Sequence, residues 1–221
     1  MLTIYGVYAS RATRTLWMAN ELGLEFSHVP VVQCYKLPDP LAADAPINTL
    51  SPDFLKVNPM ALIPSIDDDG FILHESLAIN LYLAKKYGGD LGPKDAQEDA
   101  QMTQWSLFAA TALEADTLKV ASTVGGGQAE TEQGKATLDV ALRTLKRPFA
   151  VLEGQLADTD YIVGNRFTVA DINLAEVVRY AQSQTAFFEK YPKVKAWMER
   201  CQARPAFKTM WAGRAAELAA A

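Results

Sequence analysis

The sequence predicts a two-domain protein, an α+β domain followed by an all-helical one, and three observations predict it. Strand-like and helix-like patterns alternate as far as residue 87 and strands then cease. Gly88-Gly89-Asp90-Leu91-Gly92-Pro93 breaks the pattern and makes the natural domain boundary. Finally, Phe167-Thr168-Val169-Ala170-Asp171 is a helix-start signal inside a stretch of purely helical periodicity. The expected division is residues 1–87, a linker over 88–97, and a helical domain over 98–221.

The elements follow in order. Residues 2–7 alternate as a strand, and a helix from about Ala12 to Leu22 stops before Gly23. Phe26 to Val32, rich in β-branched residues, reads as a parallel second strand. Gln33 to Ser51 carries Pro38, Pro40 and Pro46 and reads as a long loop or a binding lid. A short helix (52–57), a hairpin (63–73, turning at the Asp67 to Gly70 run) and a helix (76–87) complete the order βαβ-α-ββα, that of a thioredoxin-like domain. Beyond the linker, Met102, Trp105, Ala109 and Ala112 mark one helix face. Leu138, Leu142, Leu145, Phe149, Leu152 and Leu156 mark the seam of a longer helix containing Pro148. The helix following Asp171 is apolar on most sides and should be the central buried one.

Composition narrows the function. With 49% hydrophobic residues the chain can bury a core, and a net charge of -5 with no basic stripe argues against nucleic acid. No apolar run approaches the roughly 20 residues that span a bilayer, and the first residues lack a signal-peptide pattern. Cys34 and Cys201, far apart, fit reduced thiols in a cytoplasm. His28 and His74 lack clustered partners, so no metal site is expected. The Asp67 to Asp69 run reads as a solvated turn.

Two features point to a peptide ligand. In Asn58-Pro59-Met60-Ala61-Leu62-Ile63-Pro64, an X-Pro bond at the opening of a strand is a candidate cis peptide, and such a turn turns the N–H and C=O of Ile63 outward. An edge of that kind accepts an extended peptide as an added strand. Glu75-Ser76 then opens a helix whose free N–H groups favour a carboxylate.

With Leu2-Thr3-Ile4-Tyr5-Gly6, Ser10, Arg14, Leu16-Trp17, the Asn58 to Pro64 run, Glu75-Ser76 and Phe167 to Asp171 in this order, the chain resembles the cytosolic glutathione transferases of bacterial type from Leu2 to about Phe207. The resemblance implies a cytoplasmic homodimeric detoxification enzyme with glutathione as co-substrate and no metal. Its thiolate would be conjugated to a small apolar electrophile. By the same likeness, Ser10 stands at the catalytic position, donating to the sulfur anion. Tyr8 and Arg11 stand beside it, Ile63 and Pro64 at the peptide's main chain, and Glu75 and Ser76 at its γ-glutamyl end. Lys36 is the candidate for the glycyl carboxylate. Tyr8, Trp105, Phe108, Ala109 and Leu113 would line the electrophile pocket.

Alternatives stand beside several of these roles. Ser10 can instead cap the first helix, Tyr8 can be the donor, Tyr5 reads as a packing residue, and Arg11 and Arg14 can lie on a solvated helix face. Thr49-Leu50 and Leu62 depart from the family pattern at the glycyl end. They motivate a second reading, a catalytically silent binding or assembly module; a glutathione-dependent isomerase or dehalogenase is a third.

Overall fold

A computed structural model describes residues 1–220. The described residues form two compact units, one of residues 1–88 and 204–220 and the other of residues 89–203. The first unit is built on a four-stranded sheet of order β2-β1-β3-β4. Strand β1 (Leu2–Tyr5) runs parallel to β2 (Phe26–Val29) and antiparallel to β3 (Ser65–Asp68), which pairs antiparallel with β4 (Phe71–His74). The mixed sheet and the helices around it make this the expected thioredoxin-like domain. β2 ends at Val29 rather than Val32, and the hairpin begins at Ser65 because the backbone turns at Pro64.

Helix α1 (Ala12–Glu21) is buried nearly along its whole length, with Leu16, Trp17 and Met18 fully enclosed. A short α2 (Pro52–Val57) follows the long loop, and α3 (Ser76–Tyr87) follows the hairpin. The hairpin turns at Asp69-Gly70, a dipeptide suited to two-residue loops. Asp68, expected in a solvated turn, is instead buried at the end of β3. Its carboxylate accepts from Tyr82 Oη (2.8 Å), Tyr87 Oη (2.9 Å) and Lys86 Nζ (2.7 Å), all from α3. Burial raises the Asp68 pKa, but these donors outweigh it and hold the carboxyl below its ordinary range. Sequence spacing could not reveal this, because the donors lie 14 to 19 residues away.

The last helix of the chain, labelled α10 below (Pro205–Ala220), was expected in the helical domain but packs on α1 in the first unit. The reason is a paired apolar and ionic seam. Phe207 meets the Trp17 ring edge-on at 4.9 Å, and Arg204 makes a two-pronged bond to Glu21 (2.8 Å each), which also accepts from Trp17 Nε1.

The second unit is all helical among its described residues. It comprises α4 (Ala96–Phe108), α5 (Glu114–Gly125), α6 (Glu132–Gln155), α7 (Val169–Val178), a one-turn α8 (Thr185–Phe188) and α9 (Pro192–Ala203). Between α4 and α5 the chain makes a π-helical turn, Ala109–Leu113. The wider turn moves the buried face by one residue, so Leu113 is enclosed where the regular period favours Ala112, which is only half-buried. In α6, Leu145, Phe149 and Leu152 are buried as the seam predicts, as is Leu156 just past its end, and the helix runs through Pro148. Phe149 anchors an aromatic cluster with Phe187, Phe188 and Tyr191, ring centres 4.8 to 5.3 Å apart.

Every residue of α7 is buried, which makes it the central helix, as its unbroken apolarity predicts. Thr168 and Asp171 form the expected capping box at its start. Asp171 does more than cap. Its Oδ1 also accepts from Ile162 N–H (3.0 Å) and Trp197 Nε1 (2.8 Å), tying the preceding loop and α9 to the helix start.

Arg166 closes the loop before α7. It donates to both carboxylate oxygens of Glu98 (2.7 and 2.6 Å) and to the carbonyls of Asp90 and Gly92. The guanidinium holds the Glu98 carboxyl far down, at about 2. Because this folded-state value lies below the unfolded one, the stabilisation is full above about pH 4.5 and is lost as the pH falls toward 2. Arg166→Met is therefore expected to lower the urea midpoint at pH 7 and to flatten the acid limb of stability between those limits, measured by circular dichroism across pH. An acid limb identical to that of the parent protein would refute it.

Candidate active site

Four segments of the first unit meet at the C-terminal end of β1, and the sequence dictates how each arrives. Gly6, at φ +140, makes the exit from the strand; a Cβ there would lie 3.0 Å from Ala12 Cβ and 3.3 Å from Ile63 Cβ. Its lack of a side chain thus lets the turn before Pro64 approach the start of α1. The Ile63-Pro64 peptide is cis, as the sequence predicts. Among the described residues no group hydrogen-bonds the N–H or the C=O of Ile63. Asn58 braces this turn from behind, donating to Leu62 C=O (2.8 Å) and Ser65 Oγ (3.1 Å).

Ser10 lies in the turn that starts α1. Its hydroxyl donates to Val7 C=O at 2.6 Å and accepts from Ala12 N–H at 3.0 Å. The capping role is thus observed directly. Donation to a sulfur requires the hydroxyl to swing its proton from Val7, which leaves the bond from Ala12 intact. Arg14 does not lie on a solvated face: it is 1% exposed, and its Nη1 donates to Ser76 Oγ at 3.0 Å. The guanidinium joins the first turn of α1 to the first residue of α3, a link invisible in the sequence because the two are 62 positions apart. Arg11 is exposed on the outer side of the same turn.

At the start of α3, Glu75 is exposed and adopts φ +67, ψ 106, a conformation that side chains rarely occupy. Backbone strain of this kind costs about 1–3 kcal/mol and persists where the surrounding fold requires it. Ser76 is buried beside it with its amide at the helix N-terminus. The two residues and the Ile63 turn therefore lie on consecutive segments about the same sheet end, with an acid, a hydroxyl, a helix start and an open main-chain pair.

The long loop is more ordered than its three prolines suggest. Buried Asn48 donates to Pro40 C=O (2.9 Å) and Pro46 C=O (3.0 Å), and its Oδ1 accepts from Leu50 N–H (2.9 Å). Thr49, one of the departures from the family pattern, is buried and accepts from Cys34 N–H at 3.1 Å, a structural task. Leu62, the other, is 55% exposed. Lys36 is exposed on a short 3-10 turn (Cys34–Lys36), where its Nζ and Gln33 Nε2 both lie 3.4 Å from Ala9 C=O. Lys36 is thus brought to the Ser10 loop from the other side.

Tyr5 packs against Phe54 with ring centres 6.1 Å apart, and burial first, then the Asp67 charge, raise its pKa. Tyr8 is half-buried, with the His28 ring edge-on at 5.2 Å. Burial first and then Glu217 raise its pKa as well, so neither phenol is set up as an anion. His28 Nε2 lies 2.6 Å from Gly6 C=O, and His74 Nδ1 3.2 Å from Ser65 Oγ; each histidine is used in hydrogen bonding. No group of three or more metal-ligating side chains occurs among the described residues, and none of their helices is long and apolar enough to cross a membrane.

The residues expected around the electrophile divide between the units. Tyr8 belongs to the first; Trp105, Phe108, Ala109 and Leu113 belong to the second. Of these, Trp105, Ala109 and Leu113 are buried, and Phe108 is half-buried with its ring edge-on to Trp105 at 5.2 Å.

What the sequence did not reveal is α10 at this site. Glu217 accepts from Tyr8 N–H (2.8 Å) and Ala9 N–H (2.7 Å), and Arg214 donates to Tyr8 C=O (2.8 Å). Gly213 faces the Tyr8 ring, where an added Cβ would lie 2.7 Å from Cζ. Gly213→Val is therefore expected to push Tyr8 off its position and cost about 1–3 kcal/mol of stability by overpacking, read by chemical denaturation. An unchanged denaturation midpoint would show that the contact yields freely.

The comparisons with known proteins give the family. Residues 9–86 match the glutathione S-transferase N-terminal domain and residues 107–205 the glutathione S-transferase C-terminal domain. Together these cover well over half of the chain. The chain belongs to the glutathione S-transferase family. It is 32% identical over 220 residues to glutathione S-transferase 3 of Zea mays, spanning 94% of this chain and 91% of the relative. To glutathione S-transferase D6 of Drosophila melanogaster it is 29% identical, over 91% of this chain and 87% of the relative. Among solved structures, the theta class glutathione S-transferase of Xanthomonas axonopodis pv. citri with glutathione bound superposes with a TM-score of 0.74. It is 25% identical, over 94% of this chain and 95% of that one. This transferase therefore has the enzyme class, the co-substrate and the fold that its motifs predicted.

Proposed function

We propose that this transferase binds glutathione along the Ile63 turn and adds its thiolate to small apolar electrophiles, with Ser10 as the donor to the sulfur. One observation carries the reading. Among the described residues the main-chain donor and acceptor of Ile63 have no partner at a cis-proline turn, and they lie beside a helix start that presents Ser76 and an exposed Glu75. This set of groups fits a γ-glutamyl peptide. Ile63 pairs with its main chain, the α3 start and Ser76 hold a carboxylate, and Glu75 holds an ammonium. Glutathione supplies the nucleophilic sulfur; the chain's own part is to hold that sulfur and orient it.

Lowering a thiol pKa from about 8.5 by one or two units takes roughly 1.4 to 2.7 kcal/mol. One hydrogen bond to the anion contributes about 1.5–3 kcal/mol, so a single serine hydroxyl at the head of α1 suffices. At the glycyl end Lys36 is the proposed partner, reaching over the Ala9 carbonyl from the long loop. The reading extends to a cytoplasmic homodimer, which sedimentation at micromolar concentration tests.

Retention on immobilised glutathione followed by turnover of a chloronitroaromatic tests the enzyme reading. Absence of both at millimolar glutathione would overturn it. A second reading, a silent binding module, draws on the commitment of the Ser10 proton to Val7 and on Leu62 and Thr49 at the glycyl end. Retention without turnover would favour it.

A further inference from the structure

The loop that carries Ser10 has its polar groups distributed by sign. Its carbonyls face cations or neutral donors: Tyr8 C=O accepts from Arg214, and Ala9 C=O from Lys36 and Gln33. Its two N–H groups immediately before Ser10 face an anion, the carboxylate of Glu217, at 2.8 and 2.7 Å. Two short bonds from main-chain amides to a carboxylate are charge-assisted and geometrically exacting. They come from the last turns of α10, where Gly213 already sits against the Tyr8 ring.

We propose that Glu217 is a positioning residue of the donor loop: its carboxylate latches residues 8 and 9 to α10 and sets a fixed negative charge beside Ser10 that opposes an anionic sulfur there. The inference rests on the reading of Ser10 as thiolate donor. Its electrostatic half is independent of any ligand, because the same charge acts on the Tyr8 phenol, whose pKa burial and Glu217 both raise. Other charged or titratable groups among the described residues also lie around this loop. Arg214 sits on Tyr8 C=O and 5.5 Å over the Trp211 ring, His28 meets the Tyr8 ring edge-on, Lys36 sits on Ala9 C=O, and Arg11 is exposed on the next turn. At the far end of the α1 seam, Glu21 is neutralised by Arg204. Glu217 is thus the carboxylate tied to the loop itself.

The latch also has a functional consequence. Where the thiol pKa has been brought below the working pH, a nearby like charge keeps the anion reactive rather than over-stabilised, since nucleophilicity falls as thiol pKa falls. Glu217 supplies such an opposing field without touching the sulfur.

Two titrations of the full chain test the inference, using Glu217→Gln and Glu217→Asp. In ligand-free protein the Tyr8 phenol is followed by ultraviolet difference titration against Tyr8→Phe; with glutathione added, the bound thiolate is followed by its ultraviolet absorbance. In E217Q both midpoints are expected to fall, that of the bound thiol by about one unit, for one nearby charge removed in a partly solvated loop. In E217D, which keeps the charge, both should stay near those of the parent. Unmoved midpoints in E217Q, or an equal shift in E217D, would overturn the proposal. If glutathione fails to bind, the proposed function falls, while the Tyr8 titration still decides the charge effect of Glu217.

Discussion

Replacing Ser10 by alanine is expected to lower kcat/KM for a chloronitroaromatic by roughly 10- to 100-fold, the loss of one hydrogen bond to an anion. The bound thiol pKa should rise by about one to two units in the same variant, so the pH profile of the rate should move toward alkali. A second effect accompanies it, because the hydroxyl also accepts from Ala12 N–H. Loss of that cap costs about 1 kcal/mol, visible in a denaturant titration. Glycine or alanine at Ser10 removes both and Ser10→Thr retains a hydroxyl that can cap and donate, so the two effects are told apart by their readouts, the pH profile for the donor and the denaturant titration for the cap. An unchanged pH profile in Ser10→Ala would pass the donor role to Tyr8 or to backbone amides.

The largest expected loss of stability lies in the other unit, at Asp171. Its carboxylate is fully enclosed and accepts from Ile162 N–H, Thr168 N–H and Oγ1, and Trp197 Nε1. Asp171→Ala leaves three N–H donors buried without an acceptor and removes one side of the capping box. Each orphaned donor costs about 1–3 kcal/mol, so a total of about 3–5 kcal/mol is expected, with a fall in Tm of about 10 °C or more. A fall below about 1 kcal/mol would mean that water or a neighbour replaces the carboxylate.

The pH dependence at Asp171 has an unusual sign. Burial outweighs its donors and pushes the carboxyl up from 3.8 to about 6. The folded unit therefore holds a proton there that the unfolded chain has released between about pH 4 and pH 6. Linkage makes this group's contribution full below the lower value and progressively lost as the pH rises through the upper one. Asp171→Asn should remove that slope, while the Glu98 and Arg166 pair continues to govern the range below pH 4.5. Stability curves of the two proteins that run parallel between pH 4 and 6 would refute the assignment.

The elements of the first unit were legible because their signals are local. Alternation gave β1, the Asp-Gly dipeptide placed the hairpin turn, and the Ile63-Pro64 pair marked the cis bend before β3. Thr168 and Asp171 announced the head of α7 for the same reason, since a capping box is complete within four residues. Ser10, Glu75 and Ser76 were legible as positions, but their partners were not. Arg14 reaches Ser76 across 62 residues, and Glu217 reaches Ala9 across 208. The period of α4 misled at Ala112, because a π-helical turn re-phases the buried face and leaves no mark in composition.

The order of strands and helices, the cis-proline turn and the serine at the first helix all follow from residues a few positions apart, where sterics and hydrogen-bond geometry act within one turn. The return of α10 to the first unit, the burial of Arg14 and Asp68, and the carboxylate of Glu217 on the Ser10 loop were decided only in three dimensions. Each joins charges or apolar faces distant in the chain, and the free energy that selects them exists only once both partners share the same desolvated space.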